Sequence, residues 1–496
     1  MITKIKTAGT AQQVREIEAK YREPETGLCY GLMQKAGESL YRFIEEKIQM
    51  SGGNCSVLIV CGAGNNGGDG YEAAARLLEN GRNVVCAAYR LPKSGTEAEL
   101  AYRKYGSVGG RVFSSLAELT LDNYGIIVDG LLGIGLVSEV RSEMSEWISL
   151  INSSNAYRIA VDIPSGLNSE NGLPEGCAVV CDATLTFVMP KIGLMIGEAR
   201  DYVGELLYDD LDLKCVDSSG CIEVLSYEEI ADKLPKRKKC GNKITSGRLG
   251  LIGGQRTMPG AIRMAAKAAL RAGAGLVRVA SCGENLPVIA SDTPELMLFN
   301  LDRSDIQELE NFKTWSDAMV IGPGLGRGGW SERIWQLFRN VSLPVVIDAD
   351  ALYFYAMEPD IKKDSVITPH EGEAARLLGT DSMQIRRNRI ECIRKLQRLT
   401  GGVVVLKGAG TMICNGEKTV LIDNGCEGMS VGGMGDLLSG IIGALLAFGL
   451  SPTDAAIIGV AVHGKSGEQE AVRGMIGMLP SDLLEHIRLL MNGVIS

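Results

Sequence analysis

Val57-Leu58-Ile59-Val60-Cys61 runs into Gly62-Ala63-Gly64-Asn65-Asn66-Gly67-Gly68-Asp69-Gly70 and then into Tyr71-Glu72-Ala73-Ala74-Ala75-Arg76-Leu77-Leu78-Glu79-Asn80-Gly81. A short apolar run closed by glycines reads as a buried strand. The segment after the loop has helical apolar spacing and stops at Gly81. Strand, glycine loop and helix in that order open a βαβ unit, the element of a parallel sheet covered on both faces. Glycines let a backbone approach a bound group and aim its N–H donors at it. A tight turn explains the glycines but not Asn65, Asn66 and Asp69, three polar side chains beyond what a turn requires.

A second loop of this kind, Gly432-Gly433-Met434-Gly435-Asp436, opens an apolar helix near the other end of the chain. Two such loops in separate halves point to two active sites on one polypeptide.

The totals agree with that division. At 496 residues the chain exceeds what one hydrophobic core organises. An apolar share of 45% with 22% charged residues reads as soluble and globular. The net charge of −9 argues against nucleic acid as a partner, since that calls for a basic face. It leaves anionic small ligands open, because helix N-termini bind phosphate even on acidic proteins. The 13 cysteines include no Cys-x-x-Cys, which fits a reducing cytoplasm better than a zinc site or a disulfide framework. The N-terminus has no apolar signal core, and the longest apolar stretch, Leu437–Leu450, is too short and too glycine-broken for a membrane span.

The stretches 57–61, 83–89, 125–130, 158–164 and 183–189 read as strands of a first α/β half, preceded by amphipathic helices at 11–21 and 32–49. The pattern decays after Leu211. We expect a first domain over 1–215, a linker over 216–241 and a second domain over 242–496. The basic run Lys236–Lys239 reads as a solvated part of that linker. The second half begins a new series: strands at 248–254, 277–281, 318–324, 344–350, 365–370, 403–410 and 419–423, with helices at 260–276 and 437–449.

Polar residues stand at the carboxyl ends of these strands, where open parallel sheets bind ligands. In the first half they are Asp129, Asp162 and Ser165. Asn66, Asp129 and Ser165 offer oxygens for a weakly hydrated cation, leaving Asp162 or Asp69 for proton transfer. Gly62-x-Gly64-x-x-Gly67 also fits the dinucleotide fingerprint, but the second strand ends in Arg90, not in the usual acid. A hydride-transferring dehydrogenase is therefore the alternative for this half. In the second half, Asp436 sits at a helix N-terminus that stabilises negative charge, placed to take a proton from a hydroxyl attacking a phosphoryl group. Lys407 and its glycine turn suit nucleotide phosphates without forming a P-loop. His370 and Glu373 lie at another strand end, His463 reads as packed and His486 as surface.

The series GAGNNGGDG, DGLLGIGL, VDIPSGLN and ATLTFVMPKIGL resembles the NAD(P)H-hydrate epimerase family over roughly residues 10–210. The series RLGLIGG, GAIRMAAKAALRAGAGLV, TPEL, VIGPGLG, VIDADAL, TPHEGEAARLLG, LKGAGT and GGMGDLLSGIIGALLAFG resembles the NAD(P)H-hydrate dehydratases of the ribokinase-like fold over about residues 225–490. The resemblance implies a Rossmann-like three-layer α/β/α domain followed by a ribokinase-like α/β domain. It implies a potassium ion on Asn66, Asp129 and Ser165, and hydrate contacts from Asn65, Asn66, Gly67, Gly68 and Asp69, from Gly133, Ile134 and Gly135, and from Asp162, which we assign as the acid–base carboxylate. Lys191 matches a family position as well, a residue equally readable as structural. For the second half it implies hydrate contacts at Ala261, Gly326, His370 and Asp436, with ADP or ATP and magnesium at Lys407, Gly408, Ala409, Gly410, Thr411 and Gly435. It also implies a homo-oligomer. A ribokinase-type small-molecule kinase and a noncatalytic binding module are the competing readings. Two stretches depart from the family pattern: CGNKITSGRLG lacks His-Lys-Gly, and SVGGMGD stands where Ala-Thr-Gly-Gly is usual.

Overall fold

The computed structural model describes residues 3–136, 138–213, 220–291 and 293–495. Its contacts divide the chain into two units, Met1–Ile222 and Glu223–Ser496.

In the first unit all five expected strands form, at Val57–Cys61, Val84–Ala88, Ile126–Gly130, Tyr157–Val161 and Ala183–Phe187, with edge strands Val112–Phe113 and Glu205–Asp209. The sheet is parallel throughout, and its order places Val57–Cys61 between Val84–Ala88 and Ile126–Gly130. Chain direction across the sheet reverses at that strand, so a crevice opens at its carboxyl end. Helices Tyr30–Met50, Asn65–Glu79 and Glu97–Ser107 cover one face and Ser142–Ser153 the other.

One expectation changes here. The stretch Asn65–Gly70 is not a loop but the first turns of the helix Asn65–Glu79. Glycine is tolerated because the helix is pressed onto its neighbours. A Cβ on Gly67 would lie 2.1 Å from Gly62 O, and one on Gly62 would lie 2.0 Å from Leu131 O. A Cβ on Gly68 or Gly70 would meet Met33 at 2.5 Å or Ile59 at 2.9 Å. These glycines permit close packing more than they build an anion nest.

In the second unit a mostly parallel sheet runs from Ile222–Leu225 through Thr419–Ile422, Thr411–Cys414, Val403–Leu406, Ser365–Ile367, Val345–Ile347, Ala318–Ile321, Arg248–Ile252 and Leu276–Ser281 to Met297–Asn300. The Thr411–Cys414 strand is antiparallel to both neighbours. Three of these strands, 222–225, 297–300 and 411–414, go beyond the sequence expectation. The first lies in the stretch expected as linker: Ile222–Leu225 pairs in parallel with Thr419–Ile422, and the helix Tyr227–Ile230 follows it. Hydrogen bonding to the sheet edge orders a segment whose composition alone reads as solvated. The start of that linker, 216–219, lies outside the described residues.

The apolar helix Met434–Ala447 packs on Pro259–Arg271, and a Cβ on Gly440 would lie 2.1 Å from Ala265 O. His463 is buried on the helix Pro452–Ala471, and burial pushes its imidazole down to about 4. His486 is not a free surface residue: its side chain is only 19% exposed and its Nε2 lies 3.0 Å from Glu470 Oε2. Among the described residues no helix is long and apolar enough to cross a membrane.

Candidate active sites

In the first unit the helix N-terminus carries Asn65 and Asn66 to the carboxyl ends of the central strands. The cap residue, Gly64, makes no side-chain hydrogen bond, so the helix presents its first N–H groups openly. Asn66 Nδ2 donates to Leu132 O at 2.9 Å and to Val161 O at 2.6 Å, which ties three strand ends together. Gly133 must be glycine, because a Cβ there would lie 2.3 Å from Asn66 Oδ1.

Asp129 is fully buried. Its Oδ1 accepts from Ser165 Oγ at 2.6 Å and from Leu131 N at 3.2 Å, and its Oδ2 accepts from Ser165 N at 2.7 Å. Burial pushes its carboxyl up to about 6 against the pull of those donors. Among the described residues no Lys, Arg or His pairs with it. An anionic carboxylate beside the carbonyls of Leu132 and Val161, without a protein cation, is a donor set suited to a hard, weakly hydrated cation.

Asp162 differs. It occupies a left-handed backbone position, φ +66°, that turns its carboxylate back over the sheet. There it accepts from Thr186 Oγ1 at 3.0 Å and Phe187 N at 3.1 Å, and it is ion-paired with the buried Lys191 ammonium. Asp69, one helical turn beyond Asn65 and Asn66, is its counterpart: burial, then the Asp162 charge, push its carboxyl well above the ordinary value. Glu18 adds a third carboxyl, raised mainly by burial, from the helix Ala11–Ala19, whose Arg15 Nη2 donates to Ile134 O at 3.0 Å. A carboxylate paired with a lysine stands beside a carboxyl that burial raises, an arrangement suited to passing protons within one site. Lys191 is thus the member of this cluster whose role the sequence left undecided, and Glu18 is one it did not mark. Gly67 and Gly68 are buried, whereas Asn65, Asn66, Gly133, Ile134 and Gly135 line a cavity of about 540 Å³.

In the second unit a chain of charges joins four strand and helix ends. Lys407 Nζ lies 2.8 Å from Asp348 Oδ1 and 3.9 Å from Glu373 Oε2. Ser439 Oγ, one turn into the apolar helix, donates to Asp348 Oδ2 at 2.5 Å and to Gly435 O at 3.1 Å. Burial alone would raise Asp348, but Lys407 holds it below the ordinary carboxylate value. Burial likewise opposes the Lys407 charge, and Asp348 and Glu373 hold it above the ordinary lysine value.

Asp436 stands in the first turn of Met434–Ala447, after Gly433 at φ +101°. Burial, then the Asp348 charge, raise its carboxyl to about 7, and Glu373 is raised to about 7 by burial. A carboxyl poised near neutrality is suited to general base work. Gly435 lies against Lys407: a Cβ there would sit 3.3 Å from Nζ. The turn after Lys407 carries Gly408 at φ +144° and Gly410 at φ +68°, with Thr411 Oγ1 donating to Gly408 O at 3.1 Å. Ala409 is exposed on that turn.

His370 caps the helix Glu371–Leu378, its Nδ1 accepting from Gly372 N at 3.0 Å, and its side chain stays 61% exposed. Gly326, φ +75°, donates its N–H to Asp350 Oδ2 at 2.9 Å, and Ala261 lies in the first turn of Pro259–Arg271, 3.2 Å from where a Gly324 Cβ would be. The expected residues therefore lie at the carboxyl ends of the central strands and the helices that follow them. Asp348 and Ser439 are the members the sequence reading missed. Both are unremarkable in sequence, and only the contact across 91 residues joins them.

Both halves of the chain match known families. Residues 249–489 match the NAD(P)H-hydrate dehydratase family, and residues 29–193 match the family described as YjeF-related protein N-terminus. The bifunctional NAD(P)H-hydrate repair enzyme Nnr of Escherichia coli (strain K12) is 41% identical over 98% of this chain and 94% of its own length. The chain belongs to the bifunctional NAD(P)H-hydrate repair enzymes. The repair enzyme of the same name from Coxiella burnetii is 38% identical over 97% of this chain and 98% of its length. A solved ribokinase-like superfamily protein from Enterococcus faecalis V583 is 27% identical, covers 55% of this chain and 96% of that one, and superposes with a TM-score of 0.51. As a repair enzyme of this family the protein combines an epimerase and a dehydratase acting on hydrated NADH and NADPH. The dehydrogenase, sugar-type kinase and noncatalytic alternatives fall away.

Proposed function

We propose that epimerisation is carried out in residues 1–222 around Asp162 and dehydration in residues 223–496 around Asp436. The observation that carries the second assignment is Asp436 itself: a carboxyl raised to about 7, at a helix N-terminus, beside the Lys407–Asp348 pair. Asp436 accepts the proton of the C6 hydroxyl as that oxygen bonds to the terminal phosphorus of ADP or ATP, and the terminal anhydride bond breaks to leave AMP or ADP. The ring nitrogen's lone pair then expels inorganic phosphate from C6, and loss of the C5 proton restores NADH or NADPH. The helix N-terminus and Lys407 stabilise the charge on the transferring group. The turn Lys407–Thr411 and Gly435 hold the nucleotide, while Ala261, Gly326 and His370 hold the hydrate. Magnesium neutralises nucleotide phosphate charge when bound. The fit is to a nucleotide-borne ion, because Asp348 is already engaged by Lys407 and Ser439, and the described residues contain no group of three or more His, Cys, Asp or Glu able to hold a metal.

In the first unit, Asp162 accepts and Asp69, whose carboxyl burial raises, donates the protons that move during ring opening or water loss and re-addition at C6. Asn66, Asp129 and Ser165 hold potassium, which supplies the positive charge that Asp129 lacks. The hydrate lies against Asn65–Asp69 and Gly133–Gly135.

Every cysteine among the described residues is a free thiol, which supports a cytoplasmic setting. The exposed apolar run Val472, Met475, Ile476 and Leu479 supports assembly of identical copies, and light scattering of wild type and Ile476→Asp tests it.

Phosphorus NMR of the reaction with S-hydrate and ADP or ATP tests the dehydration step. Free phosphate rising in step with NADH absorbance is expected. A stable phosphorylated hydrate would refute the elimination.

A further inference from the structure

The first unit also contains the means to distinguish its two substrates, an inference that rests on the hydrate binding at Asn65–Asp69 and Asp162. The strand order around Val57–Cys61 is that of a dinucleotide-binding sheet, with the second strand, Val84–Ala88, on one side and Ile126–Gly130 on the other. In such sheets the pyrophosphate lies at the helix after the first strand, and the adenosine ribose reaches the end of the second. The reacting ring then falls on the far side, where Asp162 stands.

The cavity of about 540 Å³ covers the adenosine and pyrophosphate part of that path. It is lined by the Gly62–Asn66 turn, by Tyr89 and Arg90 at the end of the second strand, and by Arg141, and the Arg90 and Arg141 charges both act on Tyr89. Asn66, which lines it, links it to the Asp162 side, because its Nδ2 donates to Val161 O, next to Asp162. Tyr89 is fixed in place by its hydroxyl bond to Glu143 Oε2 at 3.0 Å and by edge-on contact with Trp147 at 5.5 Å. The Arg90 guanidinium lies over the Tyr89 ring at 5.5 Å.

Arg90 and Arg141 are both exposed at the cavity, and neither forms an ion pair or donates a side-chain hydrogen bond among the described residues. Neither guanidinium is neutralised by a carboxylate among the described residues. An acid at the end of the second strand accepts from a ribose 2′-hydroxyl, whereas an arginine there accommodates a 2′-phosphate. Guanidinium geometry also matches phosphate oxygens bidentately. We propose that Arg90 and Arg141 form a subsite for the adenosine 2′-phosphate, so that the epimerase unit favours the hydrate of NADPH over that of NADH.

The test is kcat/KM for interconversion of R- and S-hydrate, followed by chiral chromatography with each cofactor's hydrate. We expect wild type to prefer NADPH hydrate by about tenfold or more, the scale of one charge-assisted contact. Arg90→Ala and Arg141→Ala should each lower that ratio, the double variant should bring it near unity, and Arg90→Lys should keep most of it. A wild-type ratio near unity, or a double variant that depresses both hydrates in the same proportion, would overturn the proposal. Calorimetric titration with adenosine 2′-monophosphate tests the subsite without turnover. The second unit is the same in wild type and in the double variant, so a loss of affinity belongs to this cavity and equal affinity overturns the subsite. A wild type that interconverts neither hydrate, yet loses that affinity in the double variant, would refute the placement of the reacting ring and leave the subsite standing.

Discussion

Lys191 holds Asp162 from the segment after the strand Ala183–Phe187: its ammonium pairs with the Asp162 carboxylate and donates to Thr186 Oγ1 at 3.2 Å and Phe187 O at 3.0 Å, and Lys191 itself is only 1% exposed. Removing one partner of a buried pair strands the other charge, at a cost of about 3–5 kcal/mol. Lys191→Met should therefore lower the urea midpoint of the first unit and abolish interconversion of the hydrates. Lys191→Arg should not restore activity, because a planar fork does not reproduce three contacts around one ammonium. Wild-type interconversion by Lys191→Met would show that the pair is not needed to present Asp162.

Potassium should stabilise the first unit. Asp129 is a buried carboxylate, raised to about 6 by burial, whose donors among the described residues are Ser165 and Leu131. A ligand at a hundred times its Kd adds about 2.7 kcal/mol. Thermal unfolding in potassium chloride should thus exceed that in tetramethylammonium chloride at equal ionic strength, and Asp129→Asn should erase the difference. Equal melting temperatures for wild type in the two salts would remove the cation from the site.

The dehydration rate should climb through about pH 7, where Asp436 ionises. The linkage to stability has the opposite direction. The folded-state value lies above the ordinary 3.8, so the fold favours the neutral acid. That contribution is complete below the ordinary value and is lost as pH rises through about 7. The full shift corresponds to about 4 kcal/mol, which partial exposure reduces to about 2 kcal/mol. Asp436→Asn should be more stable than wild type by that amount near pH 8, with the gain vanishing toward pH 4. Parallel stability curves for the two proteins would contradict the raised value.

The two glycines flanking Met434 should respond differently to alanine. Gly433 has φ +101°, and its Cβ would lie 2.5 Å from Met264 Cε, so Gly433→Ala should cost about 1–3 kcal/mol. Gly435 has ordinary helical backbone, and its nearest neighbour is Lys407 Nζ at 3.3 Å. Gly435→Ala should leave the melting temperature within a degree or two and raise the KM for the nucleotide several-fold by crowding Lys407. An unchanged KM would place the phosphates elsewhere.

The parallel strands were legible because buried strands read as unbroken apolar runs. Asn65–Gly70 reads as a loop in sequence because glycine content does not distinguish flexibility from close packing. The contacts of Gly67 with Gly62 and of Gly70 with Ile59 decide for helix, and they are tertiary. Met297–Asn300 and Ile222–Leu225 escaped notice because each is only four residues long and takes its order from a sheet neighbour. Polar residues at strand ends, such as Asp162, Lys407 and Asp436, stood out against apolar surroundings. Asp348 did not show its function because it lies beside the equally acidic Asp350. Only the structure shows that Asp348 faces Lys407 and Ser439 while Asp350 faces Gly326 and Arg327.

The division of labour between the two sites is tested most directly by giving mixed R- and S-hydrates, with ADP or ATP, to wild type, Asp436→Asn and Asp162→Ala, and following NADH absorbance. Asp436→Asn should recover no NADH, and Asp162→Ala should consume S-hydrate normally while R-hydrate disappears only at its spontaneous rate. NADH recovery by Asp436→Asn at the wild-type rate would contradict the assignment of the base.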